Sequence, residues 1–282
     1  MSRESDNNNY KCIIYEVMDG VGKITFNLPQ YKNALTFQGV KETLDALIKA
    51  EDDPKVGCIM FAGTGNAFCA GFNLKEIPAI ENIKDDITEV STHFRHLALW
   101  WHQVFHRIVR MPKPILSAVN GAAAGSGLGL ALTADMVVAS EKASFLCAWH
   151  TIGLANDATT SYTLVKIVGF RRATELMYTN RTLNAEEARD WQIVNAVYPE
   201  QDFQDRAWEI AKQLATAPTH LQGMAKESFH MGWRRSIEEA TEFEIQNVMK
   251  SVEHPYFLEA LEKFRNKDNK NNIEQVTLPA SQ

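Results

Sequence analysis

The sequence predicts an α/β fold with substantial parallel pairing, followed by a helical C-terminal region. Three observations predict it. Short β-rich runs alternate with longer segments of helical periodicity through Val168, and strands separated by helical crossovers pair parallel. Small-residue turns follow two of those strands. From Gln201 onward the pattern is almost wholly helical, with Pro218 and Pro255 as breaks. The expected organisation is a loose, disordered tail over 1–9, a core over 10–200 and a helical region over 201–282.

The elements follow in order. Cys12 to Val17 and Val21 to Leu28 are β-rich and flank Asp19-Gly20, a strong hairpin signal. Thr36 is placed to cap a helix on which Phe37, Val40, Leu44, Leu47 and Ile48 form one apolar face. Pro54 ends that helix, and Val56 to Ala62 reads as a buried strand. Asp85 to Arg110 reads as a helix with an aromatic middle at Phe94, Trp100, Trp101 and Phe105. Pro114 to Val119 is a further strand, followed by the turn Gly121 to Gly129 and a helix toward Thr133. Met136 to Ala139 is a short strand, and Ala158 to Val168 a helix.

Composition narrows the function classes. Among 282 residues, 45% are hydrophobic and 23% charged, as in folded globular chains. A formal net charge of -6 argues against general nucleic-acid binding. No apolar run reaches membrane-spanning length, and Met1 to Asn9 has neither a signal-peptide core nor an arginine-rich transit face. Cys12, Cys58, Cys69 and Cys147 are too widely spaced for a zinc knuckle or redox pair, so buried reduced thiols in a cytoplasmic protein are expected.

Four places hold candidate chemistry. Asn120 to Gly129 (NGAAAGSGLG) follows a strand and opens a helix, where small side chains admit a ligand and free N–H groups favour negative charge. Close strand–helix packing explains the same residues, and no lysine-serine or lysine-threonine ending marks a P-loop. Phe68 to Phe72 (FCAGF) is a second such turn; one N–H from each turn would make an oxyanion hole. Trp100 and Trp101 are adjacent on a helix and therefore cannot share one core face. His102 and His106, four apart, lack a third metal ligand, so no metal is expected. Asp157 precedes a helix and suits an N-cap as well as a reactive carboxylate, and the Trp149 indole N–H is a fitting partner for it.

The two turns, FCAGF and the run AVNGAAAGSG from Ala118 to Gly127, resemble the paired oxyanion loops of the crotonase superfamily over about residues 12–260. That resemblance implies a ββα spiral core, C-terminal helices used in oligomerisation, a homotrimer and a CoA thioester substrate. Gly129 and Trp149 stand where the hydratases of that superfamily carry two glutamates, which excludes hydration by the usual pair. The segments LWWHQ at Leu99 to Gln103, CAWHTIGLAND at Cys147 to Asp157, TNRTL at Thr179 to Leu183 and EFEIQN at Glu242 to Asn247 resemble the 4-chlorobenzoyl-CoA dehalogenase branch.

The resemblance implies hydrolytic dehalogenation through an aryl ester. Asp157 would be the nucleophile, His102 the base that activates water, and Trp149 the residue whose indole N–H orients the carboxylate. Phe72 and Ser126 would donate backbone N–H groups to the thioester oxygen; losing one such donor costs about 3 to 4 kcal/mol of barrier. Phe94, Trp101 and Trp149 would wall the benzoyl pocket, and Lys32 and Lys75 would meet CoA phosphates. No separate cofactor is implied, since CoA belongs to the substrate. The sequence departs from the branch at Ser126, where glycine is common, and at both lysines, where arginine is usual. Enoyl-CoA isomerisation, thioester hydrolysis and a non-catalytic scaffold are the competing readings.

Overall fold

Asp19 and Gly20, both left-handed (φ 52° and 79°), join β1 (Ile13–Met18) to β2 (Val21–Phe26) as the expected antiparallel hairpin. The computed structural model describes residues 10–76 and 87–265; the expected tail over 1–9 and the polar end from Asn266 lie outside the described residues. Thr36 caps α1 (Phe37–Asp52), its hydroxyl accepting the Gly39 N–H at 2.9 Å.

From there the chain repeats one unit. β3 (Cys58–Gly63) and β4 (Ala67–Cys69) lead to α2 (Ile87–Arg110). β5 (Ile115–Val119) and β6 (Ala122–Ala124) lead to α3 (Ser126–Thr133), and β7 (Met136–Ser140) and β8 (Ser144–Leu146) lead to α4 (Thr160–Val168). Each pair sends its first strand to one sheet and its second to another. The larger sheet has the order β1-β2-β3-β5-β7-β10, where β10 is Ala196–Tyr198, and is parallel from β2 onward. The smaller sheet, β4-β6-β8-β9, ends on antiparallel β9 (Leu183–Asn184). This is the expected ββα spiral.

Only the larger sheet is visible in the residue pattern. β4, β6 and β8 have three residues each, too few for alternation to show, and β6 is wholly alanine. Glycine makes their approach possible: a Cβ on Gly121 would sit 2.1 Å from the Asn66 carbonyl oxygen. The main core lies between the sheets and α1, α2 and α3, around Ile24, Phe61, Phe68, Phe105, Leu128 and Phe145.

After α5 (Phe170–Thr179) and α6 (Ala185–Asp190), α7 (Glu200–Thr216) crosses the far face of the larger sheet. Its Phe203, Ala207, Ile210, Ala211 and Leu214 pack with Val21, Met60, Leu116 and Val138. The helical region expected from 201 therefore begins with a helix that completes the core. α8 (Thr219–Gly232), α9 (Ile237–Glu253) and α10 (Pro255–Arg265) follow it. No helix among the described residues is long and apolar enough to cross a membrane.

Candidate active site

The two glycine turns meet in space. Gly71 is left-handed (φ 89°), and a Cβ built on it would lie 3.0 Å from the Ala124 carbonyl oxygen and 3.5 Å from the Ser126 nitrogen. The Phe72 N–H is aimed by its neighbours. Leu35 donates to the Gly71 carbonyl at 2.7 Å and accepts from Asn73 at 2.9 Å, a parallel bridge that turns the N–H of Phe72 itself the other way. Ser126 opens α3, where the first N–H groups have no partner within the helix. Both expected oxyanion donors thus border one cavity of about 440 Å³, a size usual for small-molecule sites.

Phe72, Phe94, Trp149, Leu74 and Leu154 supply its apolar walls, and Asp157 its carboxylate. Asp157 does not cap α4. Thr159 holds that position, and the Asp157 backbone carbonyl, rather than its side chain, accepts the Thr160 N–H at 3.2 Å and hydroxyl at 2.7 Å. The carboxylate instead meets His102: Oδ1 and Nε2 are 2.7 Å apart. Burial would raise the Asp157 pKa, but the His102 hydrogen bond and charge, with the Ala158 N–H, lower it. His102 is pushed the opposite way, its bond to Asp157 outweighing partial burial and raising its pKa. His102 comes from α2 and reaches the cavity through Asp157 rather than as part of its wall.

Two expectations change. The resemblance assigns the Trp149 indole N–H to the Asp157 carboxylate, whose partners among the described residues are instead His102 and the Ala158 N–H; Trp149 lines the cavity. Trp101 was assigned to the pocket wall, but it is fully buried, packed edge-on against Phe105 with ring centroids 5.2 Å apart. Among the described residues its indole N–H has no partner. Trp101 shares the helix face of Phe94 and Ala98, but it lies further along α2, past the end of the cavity, where it packs in the core with Leu97, Val104 and Phe105. Trp100 points elsewhere, its ring 6.3 Å from that of Phe37.

The rim is cationic. Lys32 is exposed, and its carbonyl accepts the Ala70 N–H at 3.1 Å, tying its loop to the first glycine turn. Lys75 reaches over the Tyr31 ring at 5.8 Å, so both expected lysines share one edge. Neither lysine lines the cavity itself, whereas Arg95 does; residue-pattern reasoning missed it, and its place three and seven residues before Ala98 and His102 was the available signal. The Ser126 hydroxyl is buried without a partner among the described residues, a state costing about 1–3 kcal/mol.

Burial pushes the thiols of Cys69 and Cys147 up to about 12, so neither is a thiolate near neutrality. His106 lies in a separate recess with Glu51 and Arg107, and among the described residues no three His, Cys, Asp or Glu side chains gather. A larger cavity of about 670 Å³ opens beside Tyr162, Lys226 and Trp233. It touches neither glycine turn, and its Lys226 is paired with Asp135 at 2.7 Å. Gly129, where hydratases carry a glutamate, abuts Ala158: a Cβ there would lie 2.3 Å from the Ala158 carbonyl oxygen. The turn that presents Asp157 leaves no room for that glutamate.

Comparison with known proteins gives the family. Residues 16–274 match the family described as "Enoyl-CoA hydratase/isomerase". The chain is 46% identical over 280 residues to 4-chlorobenzoyl coenzyme A dehalogenase-2 of Arthrobacter sp, covering 99% of this chain and 98% of that one. It is 29% identical over 232 residues to 1,2-epoxyphenylacetyl-CoA isomerase of Escherichia coli, with 82% and 87% covered. The solved enoyl-CoA hydratase of Bacillus anthracis superposes with a TM-score of 0.83 at 27% identity, covering 91% of this chain and 97% of that one. The ββα spiral, the paired turns and the matched length lead to one assignment: the chain belongs to the enoyl-CoA hydratase/isomerase family, the crotonase superfamily.

Proposed function

We propose that this enzyme hydrolytically dehalogenates 4-chlorobenzoyl-CoA to 4-hydroxybenzoyl-CoA through an aryl ester on Asp157. One observation carries the reading: a carboxylate whose pKa is lowered lines the same aromatic-walled cavity as Phe72 and Ser126, whose backbone N–H groups have no partner among the described residues. The 46% identity to a 4-chlorobenzoyl coenzyme A dehalogenase over nearly the whole chain supports it.

An aryl chloride resists attack unless the added electrons have somewhere to go. The thioester para to chlorine is that sink, and the Phe72 and Ser126 N–H groups stabilise its oxygen as charge arrives. Asp157 Oδ bonds to the ring carbon, the C–Cl bond breaks, and chloride leaves with its electron pair. Water then attacks the aspartyl carbonyl carbon, His102 takes its proton, and the aryl–oxygen bond is retained in the product.

The ion pair times the second step. While Asp157 is charged, it holds the His102 pKa up. Esterification removes that charge, leaving partial burial to act on the imidazole in the other direction. Esterification therefore favours the neutral imidazole that can accept the proton of the attacking water.

Lys32, Lys75 and Arg95 at the rim receive the CoA phosphates in this reading. The assembly is a homotrimer, supported by an uncovered apolar stripe on α9. Ile245, Val248, Met249 and Val252 recur at helical spacing and are 41–59% exposed.

The test is a single turnover in oxygen-18 water with enzyme in excess. Ester hydrolysis at the aspartyl carbonyl leaves the product hydroxyl unlabelled and places the label in Asp157. Labelled hydroxyl in that first turnover means direct attack of water on the ring, and the aryl-ester reading fails.

A further inference from the structure

Asp157 runs directly into two consecutive left-handed residues, Ala158 (φ 55°) and Thr159 (φ 63°). A β-branched residue seldom adopts this conformation, so surrounding contacts must hold it there. Thr159 occupies the N-cap of α4, where a threonine hydroxyl ordinarily accepts an N–H of the first turn. It makes no such bond.

Its hydroxyl goes to another helix. Thr159 Oγ1 lies 2.8 Å from Thr133 Oγ1 on α3. Thr133 donates its own proton to the Gly129 carbonyl at 2.7 Å. A hydroxyl carries one proton, so Thr159 is the donor in the shared bond. Thr163 supports the turn from beyond, donating to the Thr159 carbonyl at 3.1 Å. Ala158 is fully buried against Gly129, where even a methyl group would come within 2.5 Å of its Cβ.

Both anchors, Gly129 and Thr133, belong to the helix that begins at Ser126. They follow it by three and seven residues, which places all three on one face. The helix rises about 1.5 Å per residue, so its first N–H and the seat of the Asp157 turn are two ends of one short rigid body.

We propose that Thr159, donating to Thr133, is a positioning residue that sets the Asp157 carboxylate at a defined distance from the Ser126 oxyanion donor. The inference rests on the reading of Asp157 as nucleophile. Substrate binding does not need this bond, because the CoA contacts lie at the rim. Attack on the ring does need it, because the reacting oxygen must meet one carbon along one line.

The experiment compares Thr159→Val, which keeps the branched shape and removes the donor, with Thr159→Ser, which restores it. Rapid-quench mass measurement follows the aryl-enzyme in single turnovers. Thr159→Val is expected to slow its formation about 10- to 100-fold with KM nearly unchanged, the scale of loss that misplacement of reacting groups produces. Thr159→Ser recovers most of that rate. Thr133→Val removes the acceptor and gives the same loss, and the double variant is no slower than either single one. Wild-type adduct rates in Thr159→Val overturn the proposal, as does a Thr159→Ser variant as slow as Thr159→Val. If Thr159→Val does not fold, the same comparison is made between Thr133→Val and Thr133→Ser. Wild-type enzyme that never carries an aryl group on Asp157 overturns the nucleophile reading and this proposal together. A normal wild-type adduct with an unaffected Thr159→Val overturns this proposal alone.

Discussion

His102 Nε2 and Asp157 Oδ1 lie 2.7 Å apart although 55 residues separate them in sequence, and the contact raises the His102 pKa while it lowers that of Asp157. The pair is partly open to solvent, with side-chain exposures of 40% and 28%, so its worth lies in protonation control more than in stability. The raised His102 pKa contributes stability that is complete below the ordinary imidazole value and lost as pH rises through the folded value. The lowered Asp157 pKa contributes above the ordinary carboxylate value and is lost as pH falls through the folded one. The pair is thus at full strength between 3.8 and 6.5, the two ordinary values.

Removing the Asp157 charge should release His102. In Asp157→Asn the imidazole is expected to titrate at a lower pH than in wild-type enzyme, as followed by nuclear magnetic resonance of the ring. An unchanged or higher midpoint would mean that the carboxylate does not govern His102, and the account of how the base becomes available after esterification would be wrong.

The two members of the pair should fail at different steps. Asp157→Asn is expected to form no aryl-enzyme, whereas His102→Gln should form it and hydrolyse it about 10²- to 10⁴-fold more slowly, the usual worth of a general base. Rapid-quench mass measurement separates these outcomes. A His102→Gln variant that accumulates no adduct removes His102 from the hydrolytic step.

Gly71 should tolerate no side chain. Its positive φ and the 3.0 Å approach of the Ala124 carbonyl mean that Gly71→Ala must rotate the peptide carrying the Phe72 N–H. Chloride release is expected to fall about 10²-fold or more, as for loss of one oxyanion donor. Activity within threefold of wild type would show that the Phe72 N–H is not used.

Trp101 should be dispensable for the reaction. Trp101→Phe removes a buried indole N–H that has no partner among the described residues, and this gain offsets the space left by the smaller ring, so stability should change by no more than about 1 kcal/mol. Thermal unfolding and steady-state kinetics test this together. A large loss of activity without a loss of stability would return Trp101 to the substrate pocket.

The α9 stripe should hold the trimer. Charge placed in it, as in Val248→Asp with Val252→Asp, is expected to shift the light-scattering mass from three chains to one. Wild-type enzyme that is monomeric at micromolar concentration would leave those side chains without the partner proposed for them.

Much of the local structure was legible in the residues because local rules decide it. Asp19-Gly20 makes its hairpin through two positive φ values, and Thr36 starts α1 by satisfying one orphan N–H. The spacing from Phe37 to Ile48 places one face of that helix inside. Adjacent Trp100 and Trp101 had to part company, and they do. The strands β4, β6 and β8 escaped notice because three residues show no period; they exist only through the neighbours that complete their sheet.

What the chain determined by itself was an α/β fold with parallel pairing and two glycine turns able to face each other, since φ preferences and side-chain periodicity act within a few residues; the ββα spiral was implied only by the resemblance of those turns to the crotonase superfamily. Tertiary structure alone decided which tryptophan walls the cavity, which partner holds Asp157, and that α3 carries the turn presenting it. These depend on contacts between distant segments such as His102 with Asp157 and Thr133 with Thr159. The direction of a side chain across such a gap is set by the packing of whole helices and sheets, which no short window of sequence contains.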